Sequence, residues 1–445
     1  MSTIHELSSL MTLPELDIFG VPPTQLMIER DVQTEHRPIS TISNANNTIE
    51  FEIHSGLNEY INLSKSELYL CLKIKLNKKL TSTTLELKEE DWKSIAPINY
   101  LLHSFIRQID VSIGQTSITS TSINYPYIAY MDTLINGNKM SRDTHLQTAF
   151  WHKDVTPLDK IDNDRSTRIR PAIITDSQSA EIELYGNLHI DLSSQIKSLV
   201  GGVTLNIKIY PHDSKFYLMY NENLLPTVEI SDVRLYMHRS ILNPQVVIAH
   251  NKALDNTNAR YFITRKDVRT ALIQKGTLDC YLNNVINGVI PRKIYIAFVN
   301  NDAYNGKPEL NPFNFKHYNI RHIACYVDGT QYPHRPYTPD FKTKKYMREY
   351  FSLFETANQV KYETNIDITR QEYGKGFTIF AFNFTPDLSD GVAKSGYVSP
   401  VVRGNLRVEL KFAQPIQELV TAIIFCEFDN LIEIQNSRFA IKDFP

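Results

Sequence analysis

Histidine and cysteine carry most nucleophilic and metal chemistry in proteins, and here they are not grouped. The chain has 13 histidines and four cysteines, and neither type forms the closely spaced pairs that bind a metal. His317 and His322 are five residues apart on a segment predicted to be a strand, so their side chains should point to opposite faces. The zinc motif HExxH, the phosphate-binding P-loop and the nucleophile motif GxSxG are all missing. The sequence therefore predicts no catalytic, metal or cofactor site.

The other polar and thiol candidates have structural interpretations. Cys71, Cys325 and Cys426 lie in apolar, strand-like runs and are predicted to be small buried side chains. Cys280 is not in such a run. The acidic stretch 159–164 lacks the spacing and central glycine of a calcium loop, so we expect a solvated loop. The 24 tyrosines and 21 phenylalanines have no accompanying basic patch, which favours a core or subunit interface over base stacking.

Length and charge limit the classes of function. A chain of 445 residues with 42% hydrophobic and 22% charged residues is long enough for two or three globular domains. The net charge of −2 argues against a strong electrostatic clamp on nucleic acid. No apolar stretch reaches bilayer length and no signal peptide is recognisable, so we expect no transmembrane segment.

The clearest organising pattern is a long internal repeat. Arg107, Ile109, Val111 and Ile113 alternate along a predicted strand, and the pattern recurs in the same phase at 321–327. A helix with Tyr127, Tyr130, Met131 and Leu134 on one side follows the first copy, and 347–354 repeats its spacing. Residues 205–209 match 406–410 in the same way. Offsets near 200 residues indicate two copies of one domain.

Each copy combines many short alternating strands with one helix and long loops. So few helices cannot cover a parallel sheet, which leaves an antiparallel sandwich or barrel. We predict an all-β double jelly roll, that is, two eight-stranded antiparallel sandwich barrels, each with a short helix and long loops. A pair of immunoglobulin-like domains is the alternative, but the Cys-Trp-Cys pattern is missing.

The predicted boundaries follow the changes in pattern. Residues 1–45 form an extended N-terminal arm, 46–240 the first jelly roll, 241–258 a connecting helix, and 259–445 the second jelly roll. Asn243-Pro244 is typical of a helix start. The prolines of 332–336 predict a loop, and the polar stretch 137–180 predicts a long external one.

Five long segments carry a resemblance to a known family: VPPTQLMIERD (21–31), FEIHSGLNEYINLSKSELYLCLKI (51–74), INYLLHSFIRQIDVSIGQTSITSTSINYPYIAYMDTLIN (98–136), NPFNFKHYNIRHIACYVDGTQYP (311–333) and EYGKGFTIFAFNFTPDL (372–388). They resemble the major capsid proteins, or hexons, of Polinton/Maverick elements and the related adintoviruses. The resemblance covers nearly the whole chain, including the connector AHNKALDNTNARY (249–261).

The resemblance implies a structural protein of the virion rather than an enzyme. It implies a homotrimeric, pseudo-hexagonal capsomer that tiles an icosahedral shell around double-stranded DNA. The implied partners are the chain itself, penton and minor capsid proteins. Assembly would occur inside the host cell, with the nucleus as a candidate compartment.

Two other functions are compatible with two β-sandwiches. A secreted or surface lectin or receptor-binding protein would need a secretion signal or a sugar-stacking cleft. A double-jelly-roll copper monooxygenase would need clustered histidine or methionine ligands. Neither requirement is met by a recognisable sequence feature.

Overall fold

A computed structural model describes residues 13–40, 42, 45–78, 92, 94–119, 123–159, 181–221, 223–360, 366–391 and 396–444. Three regions discussed above lie partly outside these residues: 1–12, 41, 43 and 44 of the predicted arm, 160–164 of the acidic stretch, and 160–180 of the predicted external loop.

The described residues form mainly β-structure. The strands are β1 Ile28–His36, β2 Ile49–His54, β3 Glu59–Lys78, β4 Ile95–Pro97, β5 Ile106–Ile113, β6 Thr116–Ser117, β7 Glu181–Asn187, β8 Thr204–Pro211, β9 Leu218–Tyr220, β10 Leu224–Leu242, β11 Ala259–Ile273, β12 Asp279–Val289, β13 Lys293–Asn300, β14 Ile320–Val327, β15 Thr330–Tyr337, β16 Ile379–Asn383, β17 Arg403–Phe412, β18 Val420–Ile434 and β19 Ala440–Lys442.

Helices are short and few in the same residues. The α-helices are α1 Leu101–Ser104, α2 Tyr125–Asn136, α3 Lys139–Arg142, α4 Ser214–Tyr217, α5 Pro244–Leu254, α6 Asn301–Tyr304, α7 Met347–Thr356 and α8 Arg370–Tyr373. Single 3-10 turns lie at Pro14–Leu16, His145–Ala149 and Asp191–Ser194. The predicted helix at 125–136 is confirmed, as is the helix after Asn243, whose side chain accepts a hydrogen bond from the backbone N–H of Gln245 at 2.9 Å.

The strands build two sandwiches with the same strand order. In the first, the sheet β1-β10-β3-β7 faces the sheet β2-β8-β5-β6. In the second, β11-β18-β13-β16 faces β12-β17-β14-β15, and the short β19 also pairs with β18. The predicted repeats, β5 with β14 and β8 with β17, occupy equivalent positions. Both β5 and β14 shift register near their first residues, between Ile106 and Gln108 and between Ile320 and His322. The sheets therefore confirm the internal duplication.

Alternation places one face of each strand in a core. In the first sandwich Leu70, Leu72, Val111 and Ile207 are fully buried between its two sheets. The second sandwich likewise has fully buried side chains between its two sheets, among them Ile296, Phe298, Ile323, Val408 and Ile424. Each such side chain contributes about 1.5–3 kcal/mol of hydrophobic free energy relative to an exposed one.

Several strands were not predicted, and for three of the longer ones the structure gives a physical reason. Strand β1 lies within the predicted arm; its side chains are mostly exposed, so it lacks an apolar alternation. Because β1 holds the position in the first sandwich that β11 holds in the second, we propose that the first domain begins near Ile28. The predicted loop 332–336 lies in β15, an edge strand, where proline is tolerated. Strand β12 is an edge strand interrupted by a register shift.

Two predicted faces were partly wrong. Arg107 is exposed rather than aligned with Val111, because the register shift displaces the start of β5. Helix α7 buries Glu349, Ser352, Leu353 and Thr356 instead of the full predicted apolar stripe. Within that stripe, Tyr350 and Phe354 are partly buried, whereas the other two members, Met347 and Phe351, are exposed.

Candidate functional site: the joint between the two sandwiches

The residues considered first for chemistry are dispersed in the structure. His317 stacks on Phe341 with ring centroids 4.2 Å apart, and its Nδ1 accepts a hydrogen bond from the Asn319 backbone. His322 lies within β14, which begins after His317, and is 3.9 Å from Glu409; both of these side chains are mostly buried. Asp159 accepts hydrogen bonds from Asn311 and Asn314, so it is a structural acceptor.

The cysteines are all free thiols, and three of them are buried. Cys71, Cys325 and Cys426 are buried as predicted, and Cys280 is partly exposed. Burial raises the pKa of the Cys325 thiol well above its ordinary value, which keeps it protonated. Within the described ranges, no group of three or more His, Cys, Asp or Glu side chains could hold a metal ion.

The densest collection of polar and aromatic side chains lies where the two sandwiches meet. Helix α2 belongs to the first sandwich but contacts β11 and β18 of the second. Every residue from Tyr125 to Ile135 is buried, because the helix has protein on all sides. A cleft of about 710 Å³ opens along this joint.

Aromatic rings hold the N-terminal half of α2 against the second sandwich. Tyr130 stacks on Phe313 with centroids 4.0 Å apart and planes 3° apart. Tyr127 stacks on Tyr304 at 5.7 Å and donates a hydrogen bond to the carbonyl of Pro312 at 3.3 Å. Such ring pairs add about 0.5–1.5 kcal/mol each beyond their buried area.

A buried ion pair joins the middle of α2 to β11. The Asp132 carboxylate lies 2.8 Å from the Lys266 ammonium and 2.8 Å from Nδ1 of His189. Burial alone would raise the pKa of Asp132, but Lys266 and His189 outweigh it and hold that pKa well below its usual range. Burial lowers the pKa of Lys266, and Asp132 more than compensates, so the pair is ionised.

A second ionic group lies beside the first, mainly within the second sandwich. Arg292 contacts Glu427 at 2.9 Å and Asp429 at 3.0 Å, and Lys293 pairs with Asp390. Asn136 at the end of α2 donates a hydrogen bond to Glu427 at 3.5 Å, which connects this group to the first sandwich.

The C-terminus of α2 is held by the buried guanidinium group of Arg142. Arg142 donates hydrogen bonds to the carbonyls of Thr133, Leu134 and Gly137 at 3.0, 2.6 and 2.9 Å, which caps the helix C-terminus. It also donates to the carbonyl of Ile366 in the second sandwich. Arg142 therefore satisfies the helix end and ties the two halves together.

The carboxylates of this joint are paired with cations. Asp132, Glu427, Asp429 and Asp390 each lie against a lysine or arginine side chain. Breaking a buried pair of this kind by removing one partner costs about 3–5 kcal/mol. The joint therefore holds the sandwiches as one body.

Sequence reasoning did not find these residues. A signal was present in β18, where Glu427 and Asp429 interrupt an otherwise apolar run, and in Arg292-Lys293 before the apolar β13. Charges inside buried strands require partners. Those partners lie mainly within the second sandwich but far away in the sequence, and strand patterns do not encode such pairings.

Comparisons with known proteins concern the whole chain. No known family model matches it. The chain is similar to the uncharacterized protein F54H12.2 of Caenorhabditis elegans, with 24% identity over 406 residues that cover 88% of this chain and 93% of that protein.

Solved structures are similar over nearly the full length. A chain of the Sputnik virophage aligns with a TM-score of 0.63 and 11% identity, covering all of this chain and 94% of that one. The Faustovirus major capsid protein aligns with a TM-score of 0.59 and 9% identity over 96% of this chain and 93% of its own. The mavirus major capsid protein aligns at 0.50 and 12%, covering 100% and 97%. The chain is a double jelly roll.

This result confirms the predicted fold class. The two sandwiches are the two jelly rolls, and α2 with its ionic and aromatic contacts is the joint between them. None of the helices in the described part of the double jelly roll is long and apolar enough to span a bilayer.

Proposed function

We propose that this double jelly roll is a viral major capsid protein. The observation that carries the proposal is the match of fold along the entire chain, with both jelly rolls in order, to the major capsid proteins of Faustovirus and mavirus. Its role is structural and non-enzymatic, and its place is the virion. Because the chain is similar to a nematode protein, the proposal includes two sources for the gene, an infectious virus and a genome-integrated element.

The finer form of the proposal follows the sequence resemblance to Polinton/Maverick elements and adintoviruses. Three chains form a homotrimeric capsomer, and six similar jelly rolls around one axis give it a nearly hexagonal outline. Such capsomers tile an icosahedral shell around double-stranded DNA, together with penton and minor capsid proteins. Assembly takes place in the host cell, with the nucleus as a candidate site.

Two properties of the chain support this form. The joint makes the two jelly rolls a single body, which a tile of fixed outline requires. The net charge of −2 suits a shell that encloses DNA without a strong basic binding patch.

Electron microscopy of the full-length chain, expressed and purified without other viral proteins, tests the capsid role. We expect hexagonal plates or closed shells in concentrated fractions. Dispersed particles of one chain, at every concentration and salt condition, would instead favour a two-domain binding protein.

The N-terminal arm has a separate test. A short segment that includes the 3-10 turn Pro14–Leu16 exposes Leu13, Leu16, Ile18, Phe19 and Val21. Such apolar side chains favour contact with a neighbouring capsomer or a minor capsid protein. We expect deletion of residues 1–20 to leave the capsomer mass unchanged and to reduce the yield of shells. Normal shells from the truncated chain would show that the arm is not an assembly element.

A further inference from the structure

A second cavity, of about 280 Å³, lies beside the helix that connects the two jelly rolls. It is bounded by α5, by residues 197–200 of the loop between β7 and β8, and by the start of β11. Tyr60 of β3 closes it on the side of the first jelly roll. Both jelly rolls and their connection therefore contribute to one cavity, which we call the connector cavity.

The inner wall of the connector cavity is apolar and already packed. Tyr60, Val200, Leu254 and Tyr261 line it and are each at most 8% exposed. The Tyr261 hydroxyl accepts a hydrogen bond from the Val200 backbone at 3.0 Å and donates one to the Ser198 carbonyl at 3.3 Å. The walls are therefore fixed without a ligand, as is usual for a small-molecule site.

The mouth of the connector cavity is basic. Lys197, His250 and Arg260 line it and are exposed, and no acidic side chain of the described residues lines it. Arg260 is paired with Glu433 at 3.1 Å. Lys197 donates a hydrogen bond to the Arg260 carbonyl at 3.2 Å and has no carboxylate partner in the described part of the chain. The mouth therefore offers a positive charge without a countercharge.

The tyrosine hydroxyls of the connector cavity are neutral. Burial raises the pKa of Tyr60, and it raises the pKa of Tyr261 to about 12. The Tyr60 hydroxyl lies 3.0 Å from Nδ1 of His250, so Nε2 is the ring nitrogen of His250 that remains for a ligand. Neither hydroxyl adds a negative charge that would repel an anion.

We propose that the connector cavity binds a small amphiphilic carboxylate, that is, a molecule with an unbranched apolar chain and one carboxylate group. The chain packs on the apolar inner wall, and the carboxylate contacts Lys197 and His250 at the mouth. Charge complementarity favours an anion, and the small volume with fixed walls favours a free small molecule over a protein partner. This site does not depend on the proposed capsid role.

The position of the connector cavity predicts what its ligand does to the chain. A molecule bound there contacts the first jelly roll, α5 and the second jelly roll together. Because the cavity exists only where both jelly rolls are folded and in place, binding stabilises that arrangement by mass action. A saturating ligand should therefore raise the melting temperature of the chain.

Calorimetric titration of the purified full-length chain with decanoate tests the site. We expect saturable binding of one decanoate per chain, together with a higher melting temperature. Decanol lacks the charge and acetate lacks the chain, so each should bind at least about ten times more weakly than decanoate. A wild-type chain that shows no saturable binding of decanoate would overturn the proposal.

Substitutions at exposed positions separate this site from unspecific binding. Lys197→Glu reverses the charge at the mouth, and Ala253→Phe fills space on the α5 side of the cavity. Each should weaken decanoate binding about tenfold or more, with unchanged circular dichroism. The control, Lys252→Glu, makes the same charge change at an exposed position of α5 that does not line the cavity. It should bind like the wild type, and equal binding by all three variants would place decanoate elsewhere and refute the site.

A short peptide tests the other class of occupant. The probe is an acetylated and amidated peptide with one phenylalanine between two glutamates, which offers a ring and negative charge but no unbranched chain. We expect it not to displace decanoate. Binding of the peptide without any binding of decanoate would assign the cavity to a protein segment and overturn the small-molecule proposal.

Discussion

The equivalent sheets of the two jelly rolls present opposite kinds of outer face. On β11-β18-β13-β16, the face turned away from its own core is apolar, and Tyr295 and Phe425 are fully buried there. On β1-β10-β3-β7, the corresponding face is charged and exposed, with Lys75 2.6 Å from Glu229 and Lys73 3.2 Å from Glu181. Strand order is the same, so the difference reflects what covers each face.

This difference shows how one duplicated fold serves two roles. The covered face works as internal core, so β13 and β18 are mainly apolar, and charged members such as Lys293 and Glu427 are paired. The exposed face is in contact with water. Its alternating charges keep the protein soluble and disfavour pairing with the sheets of other molecules. The joint is therefore the region where substitutions should be most damaging.

The largest effect is expected on the covered face. Replacing Phe425 with Ala should lower the free energy of unfolding by about 3–5 kcal/mol, because it removes a fully buried ring and leaves a cavity. Urea denaturation of the purified chain measures this. A loss below about 1 kcal/mol would mean that the covered face is not a true core.

A smaller loss is expected when the buried ion pair is broken. Asp132→Asn leaves the Lys266 ammonium without its countercharge and should cost about 3 kcal/mol. The double variant Asp132→Asn, Lys266→Met removes both charges and should recover part of the loss. Urea denaturation of the single and double variants yields the coupling energy, and strict additivity would refute the pair.

The joint should also give the stability a pH dependence. Burial raises the pKa of Asp191 to about 6, although the Lys266 backbone N–H and nearby cations oppose the rise. An acid with a raised folded-state pKa stabilises the fold less as it ionises. Stability should therefore fall between about pH 4 and pH 6, by at most about 3 kcal/mol. Denaturation curves of Asp191→Asn across this window should lack that slope, and an unchanged slope would assign it to another group.

The smallest effect is expected on the exposed face. Lys75→Ala breaks an ion pair in which both side chains are about half exposed, and should change stability by less than about 1 kcal/mol. The difference should shrink further at high salt. A loss comparable to that of Asp132→Asn would mean that the face is covered in solution.

Most of the fold could be predicted from sequence because its signals are local. The alternation in β5 and β14, the helix at Tyr125–Asn136 and the Asn243 cap each depend on neighbouring residues. Strand β1 was missed because most of its side chains are exposed, and two of the three partly buried ones, Thr34 and His36, are not apolar.

The joint could not be predicted in the same way. Asp132 and Lys266 are far apart in sequence, and each is unremarkable in its own segment. The exposed part of the α7 stripe has a related cause, since Met347 and Phe351 have the spacing of a core face yet lie on the surface.

The most direct test of the account is the solution mass of the purified full-length chain, by light scattering after gel filtration across a range of concentrations. The account predicts three chains, about three times 51.3 kDa. A well-folded particle with the mass of one chain at the highest concentration would contradict it.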